Sequence, residues 1–211
     1  MTEAFLEDLS ARVNACQACS LCKERLNVVV GDGPTTARLL VIGEGPGQQE
    51  DEQGLPFVGR SGQLLTQILA SVGFYRASQV GPEAANVYIA NIVKCRPPKN
   101  RAPLPNEMMA CKPFLEEQIR FINPDLMLLA GATAVKGILS PESGAHSVGI
   151  SKIRGQWFPT PYTHPSGKPI LAMPIFHPAY LLRNPSKAPG SPKALMWEDI
   201  QAVRREWERQ C

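Results

Sequence analysis

The chain has 211 residues, 44% of them apolar, and a formal net charge of +3. That is enough apolar material for one well-buried domain and too little chain for two ordinary ones, so a single domain over 1–211 is expected. The weak positive balance does not by itself argue for nucleic acid, and the longest apolar stretches, such as Leu126-Met-Leu-Leu-Ala130, fall far below a membrane span.

The opening Met-Thr-Glu-Ala-Phe-Leu-Glu-Asp-Leu has neither a basic start nor an apolar run of signal-peptide length, which predicts a cytoplasmic protein. Residues 3–14 have the spacing of a short amphipathic helix, and no internal repeat follows it. Arg38-Leu-Leu-Val-Ile-Gly43 reads as a buried strand ending at glycine. Residues 61–73 carry Leu64, Leu65, Ile68, Leu69 and Val72 at helical spacing, with Ser61 as the expected N-cap. Val87-Tyr-Ile-Ala-Asn-Ile-Val93 is the next strand, 105–121 a helix opened by Pro105 and Asn106, and 125–130 a strand that ends at Gly131. A helix near 132–139 follows. Strand-like pieces at 153–158 and 170–175 flank a Pro/Ser/Gly turn, and a helix over 191–209 closes the chain. Apolar strands alternating with helices imply an α/β fold with a parallel sheet covered on both faces, whose sites gather at the carboxyl ends of the strands.

In a reducing compartment six cysteines point to metal or redox work rather than a disulfide framework. Cys16 and Cys19 are spaced C-x2-C, and Cys95 and Cys111 stand C-x15-C around a Pro-rich loop. Four thiolates can enclose a metal or a cluster, and spacing alone leaves zinc and iron–sulfur level. Cys22 offers a further thiol, so either Cys16 or Cys22 is open as the one left out; Cys211 reads as incidental.

Gly43-Glu-Gly-Pro-Gly-Gln-Gln-Glu-Asp51 lacks the Gly-Lys-Ser/Thr ending of a phosphate loop and the Gly-x-Gly-x-x-Gly spacing of a dinucleotide fold. Its acids Glu44, Glu50 and Asp51 would repel phosphate. They suit a reaction that develops positive charge or needs a polarised water; the plain alternative is a Gly-Pro turn with solvated acids. Two acid-free basic stretches, Lys94 to Arg101 and Arg183 to Lys193, each follow a candidate site motif and offer charge for a nucleic-acid backbone.

Taken in order, Gly43 to Asp51, Gly54-Leu-Pro-Phe-Val-Gly59, Asn91-Ile-Val-Lys-Cys-Arg-Pro-Pro98 with Cys111, and Phe176-His-Pro-Ala-Tyr-Leu-Leu-Arg183 with Asn184 to Lys193 resemble the family 4 uracil-DNA glycosylases over nearly the whole chain. The resemblance implies a three-layer α/β/α fold around a four-stranded, mainly parallel sheet, a [4Fe–4S] cluster, uracil-containing DNA as partner and a monomeric enzyme that leaves an abasic site. It implies Cys16, Cys19, Cys95 and Cys111 as cluster ligands, with Cys22 extra. The stretches 74–86 and 162–168 are longer than the resemblance implies, and neither is expected to touch a motif. A related branch that cross-links to DNA carries a basic, His-containing insert before the last motif; Gly149 to Gly155 has none, which favours turnover.

On that resemblance a flipped uracil needs a flat platform, which Phe57 supplies unless it is core packing. Asn91 offers one donor and one acceptor for O4 and N3–H, and cytosine presents the opposite pair. His177 is suited to donate to O2 as charge grows on the leaving base, with the Gly45 amide assisting. Glu44 or Glu50 would stabilise the cationic sugar or orient water, Glu50 alternatively walling off the 5-position against thymine. Arg183, Ser186 and Lys187 would grip phosphates. Two rivals stand beside this reading: a metal-bearing DNA-binding module without catalysis, and a thiol redox enzyme built on Cys16-Gln-Ala-Cys19, which requires a reactive, accessible thiolate.

Overall fold

The computed structural model describes residues 2–81 and 83–210. Short apolar runs become the strands β1 (Leu39–Gly43), β2 (Val87–Asn91) and β3 (Leu126–Ala130), in which every residue is buried, as strands covered on both faces require. β4 (Phe158–Thr163) and β5 (Pro169–Ile175) complete one sheet in the order β2-β1-β3-β5-β4. Neighbours are parallel except β4, which runs antiparallel to β5 at the edge.

The expectation of four strands is corrected to five. The apolar piece at 153–158 is not a strand, since its first residue ends the short helix α7 (Ile150–Ile153) and β4 begins only at Phe158. Pro159 and Pro161 hide β4 from a propensity reading. They are tolerated because an edge strand has one side on which no ladder donor is needed.

Of the remaining helices, α1 (Thr2–Ala15), α5 (Pro105–Ile122) and α6 (Ala132–Ile138) cover one face of the sheet. There Leu9, Val13, Leu115, Ile119, Val135 and Ile138 pack on Leu40, Ile42, Tyr88, Ala90, Met127 and Leu129. The helices α3 (Arg60–Ala70), α8 (Pro178–Arg183) and α9 (Pro192–Gln210) cover the other, setting Leu65, Leu69, Leu181, Met196 and Ile200 against Leu39, Val41, Val87, Ile89, Leu126 and Leu128. Successive strand residues alternate between the two cores, as the pleat dictates. Two short helices, α2 (Gln48–Gln53) and α4 (Ala77–Val80), sit in connections that the periodicity does not mark. Among the described residues no helix is long and apolar enough to cross a membrane.

Parallel strands bring their carboxyl ends to one edge. Gly43 pairs with Asn91 and Ala130 with Ile175, so Glu44, Asn91, Gly131 and His177 all emerge there. Because β1 is followed by β2 on one side and has β3 on the other, the chain diverges above β1, where open α/β sheets form a crevice.

Candidate active site and cysteine cluster

A cavity of about 620 Å³ opens in that crevice, lined among others by Glu44, Gly45, Phe57, Asn91, His177 and Arg183. Residues far apart in the chain thus share one wall because each ends or follows a strand. Asn91, the last residue of β2, is buried, and its Oδ1 has no hydrogen-bond partner among the described residues. A buried acceptor left open is costly unless a ligand supplies the donor. Gly43 leaves the room: a Cβ there would stand 2.5 Å from Asn91 Oδ1 and 2.6 Å from the Phe57 ring. Gly43→Ala is therefore expected to push the amide and the ring apart and to lower the activity of the site at least about tenfold, with thermal melting as the control for folding.

Phe57 is buried with a left-handed backbone, φ 53°, rare for a residue with a side chain. Its ring lies 5.9 Å from the His177 ring at an interplanar angle of 31°. His177 itself caps the N-terminus of α8, its Nδ1 accepting the Ala179 amide at 3.2 Å. With Nδ1 used as an acceptor, the neutral ring carries its proton on Nε2. Burial pushes the His177 pKa below the ordinary histidine value against the opposing pull of Glu44, so the neutral donor form prevails at physiological pH.

The three acids of the Gly-rich segment divide. Both oxygens of Glu50 are taken by backbone amides: Oε1 accepts from Val58 at 2.9 Å and Gly59 at 2.8 Å, Oε2 from Gly47 at 3.1 Å. It caps the starts of α2 and α3 together, which is why α3 is capped at Gly59 and not by the expected Ser61. Asp51 is buried facing the other way, accepting the amides of Leu26 and Asn27. Glu44 accepts only the Thr133 hydroxyl, at Oε2, and its Oε1 has no hydrogen-bond partner among the described residues. Thr133 stands on α6 directly after β3, and nothing in its sequence setting marks it. The Gly45 amide likewise donates to no described residue.

The basic stretches need a correction. Lys94 is fully buried and cannot reach a phosphate: its Nζ donates to the Asn91 carbonyl at 3.0 Å and to Gln118 Oε1 at 2.5 Å, and burial lowers its pKa to about 8. Arg101 lines the cavity but is held by Glu107, a buried carboxylate that also accepts the Ser20 hydroxyl and the Leu104 amide. The Arg101 guanidinium keeps the Glu107 pKa down at about 2. Arg183 is exposed at the cavity rim, and Ser186 and Lys187 are exposed on the loop after α8. A second correction concerns residues 74–86. Arg76, from that stretch, does touch a motif, donating to the carbonyl oxygens of Pro56 and Phe57.

Cys16, Cys19, Cys22, Cys95 and Cys111 line one small cavity between α1 and α5, on the sheet face opposite α9. Arg25 donates to Cys95 Sγ at 3.2 Å and the Lys94 amide to Cys111 Sγ at 3.3 Å. Burial pushes the thiols of Cys19 and Cys95 up and that of Cys111 to about 11, the reverse of an activated redox nucleophile. Among the described residues no three Cys, His, Asp or Glu side chains close tightly enough to hold a single metal ion. Cys211 lies outside the described residues.

The model of the uracil DNA glycosylase superfamily matches residues 30–201, which takes in all five strands and every wall of the cavity. The chain belongs to that superfamily. The cysteine pair before residue 30 lies outside the match but inside longer similarities to individual members. The chain is 43% identical over 202 residues to the type-4 uracil-DNA glycosylase of Thermotoga maritima, spanning 96% of this chain and 94% of that one. It is 37% identical over 199 residues to the type-4 uracil-DNA glycosylase of Sulfurisphaera tokodaii (94% and 83%) and 36% over 180 residues to that of Archaeoglobus fulgidus (85% and 84%). Within the superfamily, then, this chain is similar over most of its length to these type-4 members.

Proposed function

We infer that this chain is a uracil-DNA glycosylase that hydrolyses the N-glycosidic bond of deoxyuridine in DNA, releasing uracil and leaving an abasic site. The observation that carries the reading is the open Asn91 acceptor beside a tilted aromatic ring and a neutral histidine donor, in a cavity at the strand ends. A base inside a duplex is out of reach, so the nucleotide is extruded into the cavity and laid against Phe57. Asn91 Oδ1 accepts uracil N3–H, and its amide donates to O4. Cytosine would bring an acceptor to an acceptor and a donor to a donor, leaving buried polar groups unpaired.

As the C1′–N1 bond breaks, the electron pair leaves with the base. The developing negative charge at O2 is met by Nε2–H of His177 and the Gly45 amide. Positive character grows at C1′. Glu44, steered by Thr133, faces the sugar and takes a proton from the water whose oxygen bonds to C1′, while the uracil anion is reprotonated on release. Glu50, whose oxygens are both occupied, keeps the cavity loops together. Glu44→Gln is expected to cut the excision rate about 100-fold with little change in KM, whereas Glu50→Gln lowers the melting temperature and raises KM. Equal kcat losses without destabilisation would remove this division of roles.

Arg183 at the cavity rim, with Ser186 and Lys187 exposed on the loop after α8, holds phosphates around the extruded nucleotide. The cysteine cavity fits a [4Fe–4S] cluster held by Cys16, Cys19, Cys95 and Cys111, with Cys22 as a fifth thiol nearby. Five thiols around one cavity, with N–H donors to the sulfurs of Cys95 and Cys111, are a donor set that such a cluster would use. A cluster bound there would cross-link the segment after α1 to the loop that carries Lys94 to Arg101. The enzyme acts as a monomer, in the cytoplasm.

The test is excision on oligonucleotides carrying one uracil, with matched cytosine and thymine controls and alkaline cleavage of the abasic product, together with iron and sulfide analysis. Breaks at uracil alone, under turnover, with iron bound are the expected result. A coloured, DNA-binding protein that makes no breaks would replace the reading with a non-catalytic module.

A further inference from the structure

The Phe57 backbone is held by a device that the chemistry above does not use. Phe57 sits in the left-handed region, φ 53°, a costly conformation for an aromatic residue that persists only where its surroundings over-determine it. Its carbonyl oxygen accepts from Arg76 Nη1 at 2.7 Å, and the preceding carbonyl, of Pro56, accepts from Nη2 at 2.7 Å. Arg76 is buried, with a side-chain exposure of 5%. Its charge is met by Asp32 at 3.0 Å, and Nη1 also reaches the Thr66 hydroxyl at 3.3 Å. Asp32 is anchored in turn by two backbone hydrogen bonds with Ile89 of β2, at 2.9 and 2.8 Å. From the other side Gly62 of α3 makes room: a Cβ there would stand 1.9 Å from the Phe57 oxygen. A planar guanidinium with two parallel donors matches two successive carbonyls, where the single ammonium of lysine does not.

We propose that Arg76 is a positioning residue for uracil recognition: its fork fixes the Pro56–Phe57 backbone against the β2 edge and thereby sets the tilt of the Phe57 ring over the cavity. The proposal rests on the reading of Phe57 as the base platform. Arg76 touches neither substrate nor reacting atoms, so its effect falls on base binding and not on bond breaking.

The experiment compares wild type, Arg76→Lys, Phe57→Ala and the double variant by steady-state excision on a single-uracil oligonucleotide, with inhibition by free uracil and thermal melting measured alongside. Arg76→Lys is expected to raise KM and the inhibition constant for free uracil about tenfold, with kcat changed much less. The double variant should bind uracil no worse than Phe57→Ala alone. Independent, multiplying losses, or a lower melting temperature with the uracil inhibition constant unchanged, would make Arg76 a scaffold residue only and overturn the proposal. If Phe57→Ala itself leaves uracil inhibition untouched, the platform reading falls and takes the proposal with it. Should Arg76→Lys not fold, Asp32→Asn removes the counter-charge that holds the guanidinium while keeping the arginine and its two donors. It should raise the same two constants by a smaller factor, and no change in either would again overturn the role of Arg76.

Discussion

His177→Ala is expected to lower the excision rate at uracil by about 10²–10³-fold, the usual cost of removing one donor aimed at developing negative charge. The melting temperature should stay near that of the unaltered protein, because among the described residues the ring's only hydrogen bond is the cap it offers to Ala179. The same geometry sets a pH dependence. Protonation would place a hydrogen on Nδ1 against the Ala179 amide and release the ring from its cap. Burial holds the His177 pKa below the ordinary value of 6.5, so the active neutral form is retained above that lowered pKa and lost as pH falls through it. The His177-dependent part of the rate should therefore be lost only as pH falls below the ordinary histidine value, and that part of the decline should be missing from the residual activity of His177→Ala. An inflection at the ordinary histidine value would mean that the ring is solvated and does not hold the orientation found here.

Asn91→Leu preserves the branching of the side chain and its number of heavy atoms and removes both polar atoms. Excision of uracil is expected to fall about 10²–10³-fold, because two hydrogen bonds to the base vanish and O4 and N3–H enter an apolar wall unpaired. The loss should appear in uracil inhibition as well as in kcat/KM, and the preference for uracil over cytosine should shrink, since the variant no longer opposes cytosine's reversed donor and acceptor. Folding should be kept or improved. Among the described residues the Asn91 Oδ1 is a buried acceptor without a partner, so its removal gives up no hydrogen bond within the fold. A variant that still excised uracil selectively would show that the base is read elsewhere in the cavity.

Much of this arrangement is legible in the chain because it hangs on short apolar runs. Leu39 to Gly43, Val87 to Asn91 and Leu126 to Ala130 are strands for the plain reason that they are buried on both faces, and a polar residue at the end of such a run, Asn91, is conspicuous. His177 and Glu44 stand out in the same way, just beyond β5 and β1. The cysteine spacing announces a shared site, and the fold brings Cys16, Cys19, Cys22, Cys95 and Cys111 around one cavity. What local pattern hides is anything set by a partner far away in the chain. β4 reads as loop because its prolines are compatible with a strand only at a sheet edge, and edge position is a property of the whole sheet.

The sequence by itself determined the fold class, the strand ends that carry the site and the residue types brought there, since hydrophobic periodicity and strand-end placement are local consequences of burial. Tertiary structure alone decided how those residues divide the work. Glu44 and Glu50 are indistinguishable in the chain, and only the approach of Val58, Gly59 and Gly47 consumes one while Thr133 aims the other. Lys94 reads as a phosphate contact until Gln118 and the Asn91 carbonyl draw its ammonium inward. Arg76 lies in a stretch not expected to touch a motif, yet it meets Asp32 and the carbonyls of Pro56 and Phe57. In each case the physical reason is the same: a charged group takes its role from the hydrogen-bond partners that replace its water, and folding supplies those partners from distant parts of the chain.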